Sequence, residues 1–212
     1  MSDELEAYLW ATPNSNRVSI LFEELGLRYR VHGVNIRARE QFAPEILALN
    51  PYGKIPIVDI GEGAARQVLF ESGAILIHFA ERHRRLLPAT DPARGEVLTW
   101  LMVVLTGLGP MMGQAHHWTE LAPERPEAAR RHTVSMVERV YWLLEGRLAA
   151  ARYLAGGDYG IADIAAFPWI ARHGWATLRL EDFPAVARWF AAVGDRPGVQ
   201  RGMQVPAGAR LE

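Results

Sequence analysis

The chain has 212 residues, half of them hydrophobic, which suffices for one large domain or two small ones. Its net charge of −1 gives no sign of nucleic-acid binding, which usually leaves a basic surplus, and no apolar run approaches the roughly 18 residues of a membrane span. Because there is no cysteine, disulfide scaffolds, zinc–thiolate sites and cysteine nucleophiles are excluded, and any thiol chemistry needs a thiol from a ligand.

The first part of the chain alternates strand-like and helix-like segments. The acidic N-terminus has no signal-peptide core, which predicts a cytoplasmic protein. A short apolar run is followed by a helix, which the apolar periodicity predicts over 17–26. Then come an extended run from Tyr29 to Asn35, a short helix over 43–49, strands in KIPIVDI and RQVLF joined by the turn GEG, and a helix starting on Ser72. This order predicts one small sheet with helices packed on it, over residues 1–85.

The segment 82–93 breaks this alternation and predicts a linker, because it carries two prolines. Its Asp91-Pro92 pair is typical of a helix start. Only helices are predicted after it: one carries Leu98, Leu101, Met102 and Leu105, a second starts near Pro126, a third follows Gly160 and a fourth follows Pro184. We therefore expect an all-helical domain over residues 92–212.

The turn ATPNSNR, residues 11–17, places Thr12, Asn14 and Ser15 where a helix begins. One interpretation is helix capping, because Asn and Ser satisfy free N–H groups at such positions. The other interpretation is a site for an anion, which a helix N-terminus favours. This stretch by itself leaves both open.

Four segments resemble the glutathione transferase family, and within it the bacterial nu class: TPNSNRVSILFEELGL, LNPYGKIPIV, LFESGAILIHFAE and GLGPMMGQAHHW. The similarity extends over nearly the whole chain. It implies a thioredoxin-like α+β domain followed by an all-α domain, usually in a homodimer, with glutathione as co-substrate. Nu-class enzymes are related to the fungal nitrogen-regulator prion protein and are known as glutathione-dependent disulfide-bond oxidoreductases.

The resemblance implies contacts for the first two parts of glutathione. Glu71-Ser72 opens a helix whose N–H groups and Ser72 hydroxyl suit the γ-glutamyl carboxylate, while the Glu71 carboxylate suits the ammonium; from the residues alone, simple capping is the alternative. Ile55-Pro56 matches a proline that is cis in the family. It would present the Ile55 N–H and C=O to the cysteinyl backbone, as an added strand would.

For the glycyl carboxylate, Lys54 and Gln41 match the family's contact positions, although a solvated lysine is the alternative for Lys54. Nu-class proteins also bring an arginine from the partner subunit. An alignment without gaps puts His132 at that position, and a shift of one residue restores Arg131. A histidine would hold the carboxylate firmly only when protonated, so that binding would weaken as the pH rises.

The nu-class pattern assigns thiol activation to Thr12 and Asn14. Asn14 has no basic group, but its NH₂ can donate a hydrogen bond to the thiolate. Such a bond is worth about 1.5–3 kcal/mol, which would lower a thiol pKa from about 8.5 to roughly 6.5–7.5. Ser15 or Asn16 is then expected to cap the helix; the alternative for Ser15 is a role as the sulfur ligand, as serine has in other classes.

The segment GPMMGQAHHW, residues 109–118, is expected to line the pocket for the second substrate, with ordinary core packing as the alternative for its methionines and tryptophan. The side chains expected there are Met111, Met112, His116 and Trp118. His116 and His117 point apart on a helix and have no evident third ligand, so no metal is expected. In GIADIA, Gly160 replaces the serine of the fold's Ser-x-x-Asp motif, and Asp163 is predicted to be a structural capping residue.

Three functions remain open at this stage. The leading one is glutathione-dependent reduction of small disulfides, in which the thiolate attacks a disulfide sulfur and the mixed disulfide joins two small molecules. The second is a conjugating transferase or peroxidase acting on electrophiles through the same thiolate. The third is a glutathione-binding regulator without turnover.

Overall fold

A computed structural model describes residues 5–61, 63 and 66–208. Contacts divide this part of the chain into two units, one running to His83 and resuming at Arg196, the other comprising Arg84–Asp195. The division differs from the expected domains, 1–85 and 92–212, because the C-terminal segment belongs to the first unit. Residues 1–4, which form part of the N-terminus considered above, lie outside the described residues.

The first unit is built on a mixed four-stranded sheet. Its elements are β1 (Leu5–Leu9), α1 (Pro13–Leu25), β2 (Arg30–Gly33), a 3₁₀ turn (Glu40–Phe42), α2 (Pro44–Leu49), β3 (Ile57–Ile60), β4 (Gln67–Phe70) and α3 (Ser72–His83). The strand order is β2-β1-β3-β4, with β1 and β2 parallel and the other two pairs antiparallel. The predicted α+β order and the β3–β4 pairing are thus confirmed; Glu62, in the predicted turn between them, lies outside the described residues.

Apolar side chains pack on both faces of this sheet. Val34, Ile46 and Ile57 form a buried cluster on one face. Helices α1 and α3 pack against each other, and Phe22 and Phe79 meet edge to face with ring centroids 4.8 Å apart. This packing fixes where the first turns of α1 and α3 lie within the unit.

Helix α1 begins four residues earlier than the sequence pattern predicts, at Pro13 rather than residue 17. Thr12 is its N-cap, and the Thr12 hydroxyl accepts a hydrogen bond from the Ser15 N–H at 3.2 Å. Proline is favoured at the first helical position because it has no N–H to satisfy there. The apolar periodicity begins only at Val18, so periodicity alone placed the start too late.

The second unit is helical throughout its described elements. These are α4 (Ala93–Met102), α5 (Gly109–His116), α6 (Glu127–Ala150), α7 (Ile161–Ile170) and α8 (Pro184–Gly194), with 3₁₀ turns at His173–Ala176 and Leu180–Asp182. The segments Val103–Leu108 and His117–Leu121 are π-helical and make α4 and α5 parts of one continuous helix. Pro110, which lacks an N–H, interrupts the regular hydrogen-bond ladder just after the first π-helical segment.

This continuous helix is longer and more apolar than the sequence analysis expects of any segment. Ala93–Leu121 spans 29 residues and contains an 18-residue window of mean hydropathy 1.4, so by length and composition it would suffice to cross a membrane. Interspersed Thr, Gly and Gln residues interrupt its apolar runs without lowering the mean much. Helices in the core of soluble proteins pass the same test, and α4 and α5 pack here against α7 and α6.

Helix α7 is held at its start by Asp163. The Asp163 carboxylate accepts hydrogen bonds from the Gly160 N–H at 3.0 Å, the Leu154 N–H at 3.0 Å and the Trp189 indole N–H at 2.8 Å. The predicted capping role of Asp163 is confirmed. A Cβ atom at position 160 would lie 2.8 Å from the Leu86 carbonyl oxygen, which explains why glycine stands in place of serine there.

The C-terminal helix α9 (Pro197–Gly202) packs against α1 in the first unit. The Ser19 hydroxyl donates to the Gly202 carbonyl oxygen at 2.6 Å, and the Asn16 amide donates to the same oxygen at 3.3 Å. A Cβ atom at Gly202 would come within 2.5 Å of the Ile20 backbone, so only glycine allows this approach. These contacts occupy Asn16, which therefore does not cap α1.

Candidate functional site

In the turn before α1, Thr12 and Ser15 bond to each other, whereas Asn14 takes no part in capping the helix. Thr12 caps the helix, and Ser15 is fully buried, its hydroxyl oxygen accepting from Thr12 at 3.1 Å and from the Trp10 N–H at 3.3 Å. The expectation that Ser15 or Asn16 caps is therefore wrong. The burial of Ser15 also argues against a direct contact with a ligand sulfur, whereas Thr12 and Asn14 are both partly exposed.

Asn14 is oriented by a buried arginine one helical turn further on. Nη1 of Arg17 donates to the Asn14 carboxamide oxygen at 2.8 Å. A guanidinium only donates hydrogen bonds, so the oxygen of Asn14 must be the atom on the arginine side. The NH₂ group of Asn14 is therefore the end directed away from Arg17, and it is a donor.

The same guanidinium nitrogen reaches the first residue of α3. Nη1 of Arg17 also donates to the Ser72 hydroxyl oxygen, at 3.1 Å. Because this oxygen accepts, the Ser72 hydrogen can donate to another group. The structure thus brings together Asn14 and Ser72, two of the predicted glutathione contacts, on one nitrogen atom.

Arg17 carries a charge in the interior of the first unit. Its side chain is buried, and burial lowers the pKa of the guanidinium to about 9, against an opposing effect of the Glu71 carboxylate. At neutral pH the group is therefore protonated. The sequence analysis places Arg17 at the start of the helix and does not single it out. The signal available in the sequence was its spacing, because Arg17 lies four residues before Leu21 and therefore on the apolar face of α1.

Glu71 has an unusual backbone conformation immediately before α3. Its φ angle is +69°, in the left-handed region that costs a non-glycine residue about 1–3 kcal/mol, and its side chain is exposed. Its carbonyl oxygen accepts the first hydrogen bond of the helix, from the Ile75 N–H at 3.0 Å. Residues with strained backbone conformations cluster at active sites and ligand-binding positions.

The loop before β3 holds the predicted cysteinyl contacts. The Ile55–Pro56 peptide bond is cis, as the resemblance implies, and Pro56 is buried while Ile55 is partly exposed. Buried Asn50 fixes the loop: its amide donates to the Lys54 carbonyl oxygen at 2.7 Å, and its oxygen accepts from the Tyr52 N–H at 3.0 Å. Sequence reasoning did not single out Asn50.

Lys54 and Gln41, predicted for the glycyl carboxylate, both lie on the first unit. The Lys54 ammonium donates to the Tyr52 hydroxyl at 2.8 Å and lies 4.0 Å from the centre of that ring, with Tyr52 exposed. Gln41 lies in the 3₁₀ turn before α2, and its buried side-chain oxygen has no hydrogen-bond partner among the described residues.

The remaining predicted residues lie on the second unit. Met112 is fully buried and belongs to the core, while the other three residues expected in the second pocket are partly buried. The His116 ring stacks on Trp175 with centroids 3.9 Å apart, and its Nε2 lies 3.4 Å from the Glu120 carboxylate. Met111 and Trp118 remain predicted pocket residues.

Arg131 and His132 are both exposed near the start of α6. Their neighbour Arg130 forms two hydrogen bonds to Glu127, at 2.9 and 2.8 Å, whereas Arg131 approaches the same carboxylate only at 3.6 Å. The geometry therefore leaves Arg131 better placed than Arg130 to reach another group. Among the residues that the structure describes, no cluster of three or more His, Cys, Asp or Glu residues has the arrangement of a metal site.

Family models match both units of the chain. The model "Glutathione S-transferase, N-terminal domain" matches residues 11–82, and the model "Glutathione S-transferase, C-terminal domain" matches residues 98–197. The chain belongs to the glutathione transferase family. This assignment confirms the fold expected from the sequence, a thioredoxin-like domain followed by a helical domain.

Relatives in the glutathione transferase family are similar over most of the chain. Disulfide-bond oxidoreductase YfcG of Escherichia coli is 38% identical over 199 residues, which are 91% of each protein. Disulfide-bond oxidoreductase YghU of the same organism is 32% identical over 212 residues, 93% of this chain and 73% of that protein.

Solved structures of the family extend the comparison. A glutathione transferase from Burkholderia graminis, with two glutathione molecules bound per subunit, has a TM-score of 0.90 and 37% identity, covering 97% of this chain and 90% of that one. A glutathione transferase from Pseudomonas putida, with one glutathione disulfide bound per subunit, has a TM-score of 0.90 and 33% identity, covering 96% and 92%.

Proposed function

We propose that this protein is a glutathione-dependent reductase of small disulfides. A glutathione thiolate attacks one sulfur of the disulfide, the S–S bond breaks, and the leaving sulfur departs as a thiolate that takes up a proton. A second glutathione then attacks the mixed disulfide and releases glutathione disulfide and the second thiol. Since the chain has no cysteine, every sulfur in this sequence belongs to a small molecule.

The observation that carries the proposal is the pairing of Asn14 and Ser72 on the Arg17 guanidinium. The pairing supports the proposal because an amide at the start of α1 and a hydroxyl at the start of α3 then share one donor, which suits a ligand that has both a thiolate and a carboxylate. The relatives named as disulfide-bond oxidoreductases, and the related structures holding glutathione or its disulfide, support the same substrate.

Each part of glutathione has a proposed contact. The Asn14 NH₂ and the N-terminus of α1 stabilise the thiolate, with Thr12 beside them. The Ile55 backbone, followed by cis-Pro56, pairs with the cysteinyl residue. Ser72 and the first turn of α3 hold the γ-glutamyl carboxylate, and Glu71 holds the ammonium. The side chains proposed for the glycyl carboxylate are Lys54 and Gln41.

We further propose that the protein acts as a homodimer in the cytoplasm. In that assembly Arg131 or His132 of one subunit reaches the glycyl carboxylate bound by the other. The exposure of both side chains on α6 supports the proposal. Met111, His116 and Trp118 are the proposed lining of the pocket for the second substrate.

The proposed activity is tested on the purified protein by assays with two substrates and by one measurement of glutathione binding. We expect glutathione-dependent reduction of a small dialkyl disulfide to be at least about tenfold faster, in kcat/KM, than conjugation of a chlorinated nitroaromatic. A preference for the aromatic would instead identify a conjugating transferase. Glutathione binding by calorimetry without turnover of either substrate would identify a regulator.

Glu71 offers a prediction that combines backbone strain with binding. Glu71→Gly removes the left-handed strain and the carboxylate together. We expect unchanged or higher stability, by up to about 1 kcal/mol, because glycine adopts this conformation freely. We also expect the KM for glutathione to rise at least about threefold, with a smaller loss in kcat, because the ammonium loses its partner.

Thr177→Gly is the matched control, since Thr177 has a φ of +57° and lies outside the candidate site. It should relieve comparable strain without changing the KM. A loss in kcat that exceeds the rise in KM for Glu71→Gly would instead place Glu71 in the chemical step.

A further inference from the structure

We propose that Arg17 is a positioning residue, whose buried guanidinium couples the binding of the γ-glutamyl carboxylate to the stabilisation of the thiolate. This inference rests on the proposed function of the site. It concerns a residue that reaches glutathione only through Asn14 and Ser72.

One nitrogen of Arg17 connects the first residues of two helices. Nη1 of Arg17 donates to Asn14 at 2.8 Å and to Ser72 at 3.1 Å, so the two acceptors lie on the same donor although they begin different helices. A shift of the Ser72 hydroxyl would therefore move the guanidinium, and with it the Asn14 carboxamide. The two ends of the ligand site are therefore mechanically linked.

Arg17 also sets the orientation of the Asn14 carboxamide. A carboxamide can present either its oxygen or its NH₂ to a ligand sulfur, and only the NH₂ stabilises a thiolate. Because Arg17 is donor-only, it fixes the oxygen on its own side. Without Arg17 the carboxamide loses this constraint, and an oxygen turned toward the sulfur would repel the anion.

The positive charge of Arg17 acts on the same carboxamide. Arg17 is 3% exposed, and a buried cation costs stability that apolar packing of similar volume would avoid. At the site, however, a positive charge one hydrogen bond behind the carboxamide polarises it and strengthens the NH₂ as a donor. Burial lowers the pKa of Arg17, and the Glu71 carboxylate, which precedes α3, opposes that effect by favouring the charged guanidinium.

The test measures the pKa of the glutathione thiol in the complex, from the ultraviolet absorbance of the thiolate, together with KM and kcat for disulfide reduction. In Arg17→Met and in Arg17→Gln we expect the thiol pKa to rise by about one unit and the KM for glutathione to rise as well. Arg17→Lys, which keeps a buried cation, should recover most of the lost pKa shift. A thiol pKa and KM equal to those of the wild type in a folded neutral variant would overturn the proposal.

A double substitution separates action through Asn14 from a general effect on the fold. If Arg17 acts through Asn14, the thiol pKa in Asn14→Ala/Arg17→Met equals that in Asn14→Ala alone. Additive shifts in the thiol pKa would mean independent roles and would overturn the proposal.

Ser72→Ala leaves the guanidinium in place and tests the coupling even where the neutral Arg17 variants do not fold. Ser72 is assigned to the γ-glutamyl carboxylate, yet its loss should also raise the thiol pKa enough to lower the thiolate fraction about twofold at neutral pH. The reason is that Nη1 of Arg17 then loses one of its two acceptors and no longer holds Asn14 in the same position. An unchanged thiol pKa in Ser72→Ala would overturn the coupling.

Arg196→Met is the matched control. Arg196 also forms an ion pair with α1, donating to both Glu24 oxygens at 2.8 Å, but away from Asn14 and Ser72. We expect it to lower stability and to leave the thiol pKa and the KM unchanged. Failure of the wild-type protein to bind glutathione would refute the proposed function, whereas an active wild type with unaltered Arg17 variants would refute only the role of Arg17.

Discussion

Replacing Asn14 with alanine is expected to slow glutathione-dependent disulfide reduction at least about tenfold while leaving the fold intact. The thiolate loses a hydrogen bond worth about 1.5–3 kcal/mol, and each 1.36 kcal/mol corresponds to a factor of ten. Asn14 is partly exposed and lies in the first turn of α1, so its removal leaves the core unchanged. The measurement is the pH profile of kcat/KM, whose acidic limb should move to higher pH.

Two further variants sharpen this test. Asn14→Asp keeps an acceptor for Arg17 but replaces the NH₂ donor with a negative oxygen, so it should be at least as slow as Asn14→Ala. Asn16→Ala is the matched control on the same helix, because its amide donates to backbone carbonyls of the C-terminal segment, at Gly202 and Val205. It should cost stability without altering the pH profile. Rates for Asn14→Ala equal to the wild type would refute the assignment of Asn14.

Replacing Asp163 with alanine is expected to lower the free energy of unfolding of the helical unit by at least about 3 kcal/mol. The carboxylate accepts from the Gly160 and Leu154 N–H groups, which precede α7, and from the Trp189 indole of α8, and all three residues are buried. Each buried donor left without an acceptor costs about 1–3 kcal/mol. Denaturant unfolding measures the loss, with exposed Asp182→Ala as the control that should change stability little.

Asp163 also predicts a pH dependence of stability. Burial raises the pKa of this carboxyl from 3.8 to about 6, against its hydrogen bonds, so the native state binds the proton more tightly than the unfolded chain. The stability linked to this proton is fully present below about pH 4 and is lost as the pH rises through about 6, by about 3 kcal/mol.

Asp163→Asn cannot titrate and isolates this contribution. The unfolding free energy of the wild type should therefore rise relative to that of Asp163→Asn as the pH falls from 7 to 4. A constant difference over this range would show that Asp163 keeps an ordinary pKa in the folded protein.

Much of the fold follows from local patterns in the sequence. Apolar periodicity predicts the long helices, and the Ser-x-x-Asp motif of the fold that the chain resembles marks Asp163 as a cap, three residues after Gly160. The absence of cysteine required the thiol of any thiol reaction to come from a ligand. These features depend on residues that are close along the chain, or on composition, so one sequence contains the information.

Only the tertiary structure decided which polar residues at the start of α1 cap the helix and which bond to distant parts of the chain. Asn16 does not cap the helix, because its amide meets Gly202, 186 positions later. Arg17 is not a solvated helix residue, because folding places its guanidinium against Ser72, 55 positions away. Helix α9 belongs to the first unit because it packs against α1, although it is distant from α1 along the chain. A sequence pattern encodes the preferences of neighbouring residues, whereas the partner of a buried polar group is set by which surfaces pack together.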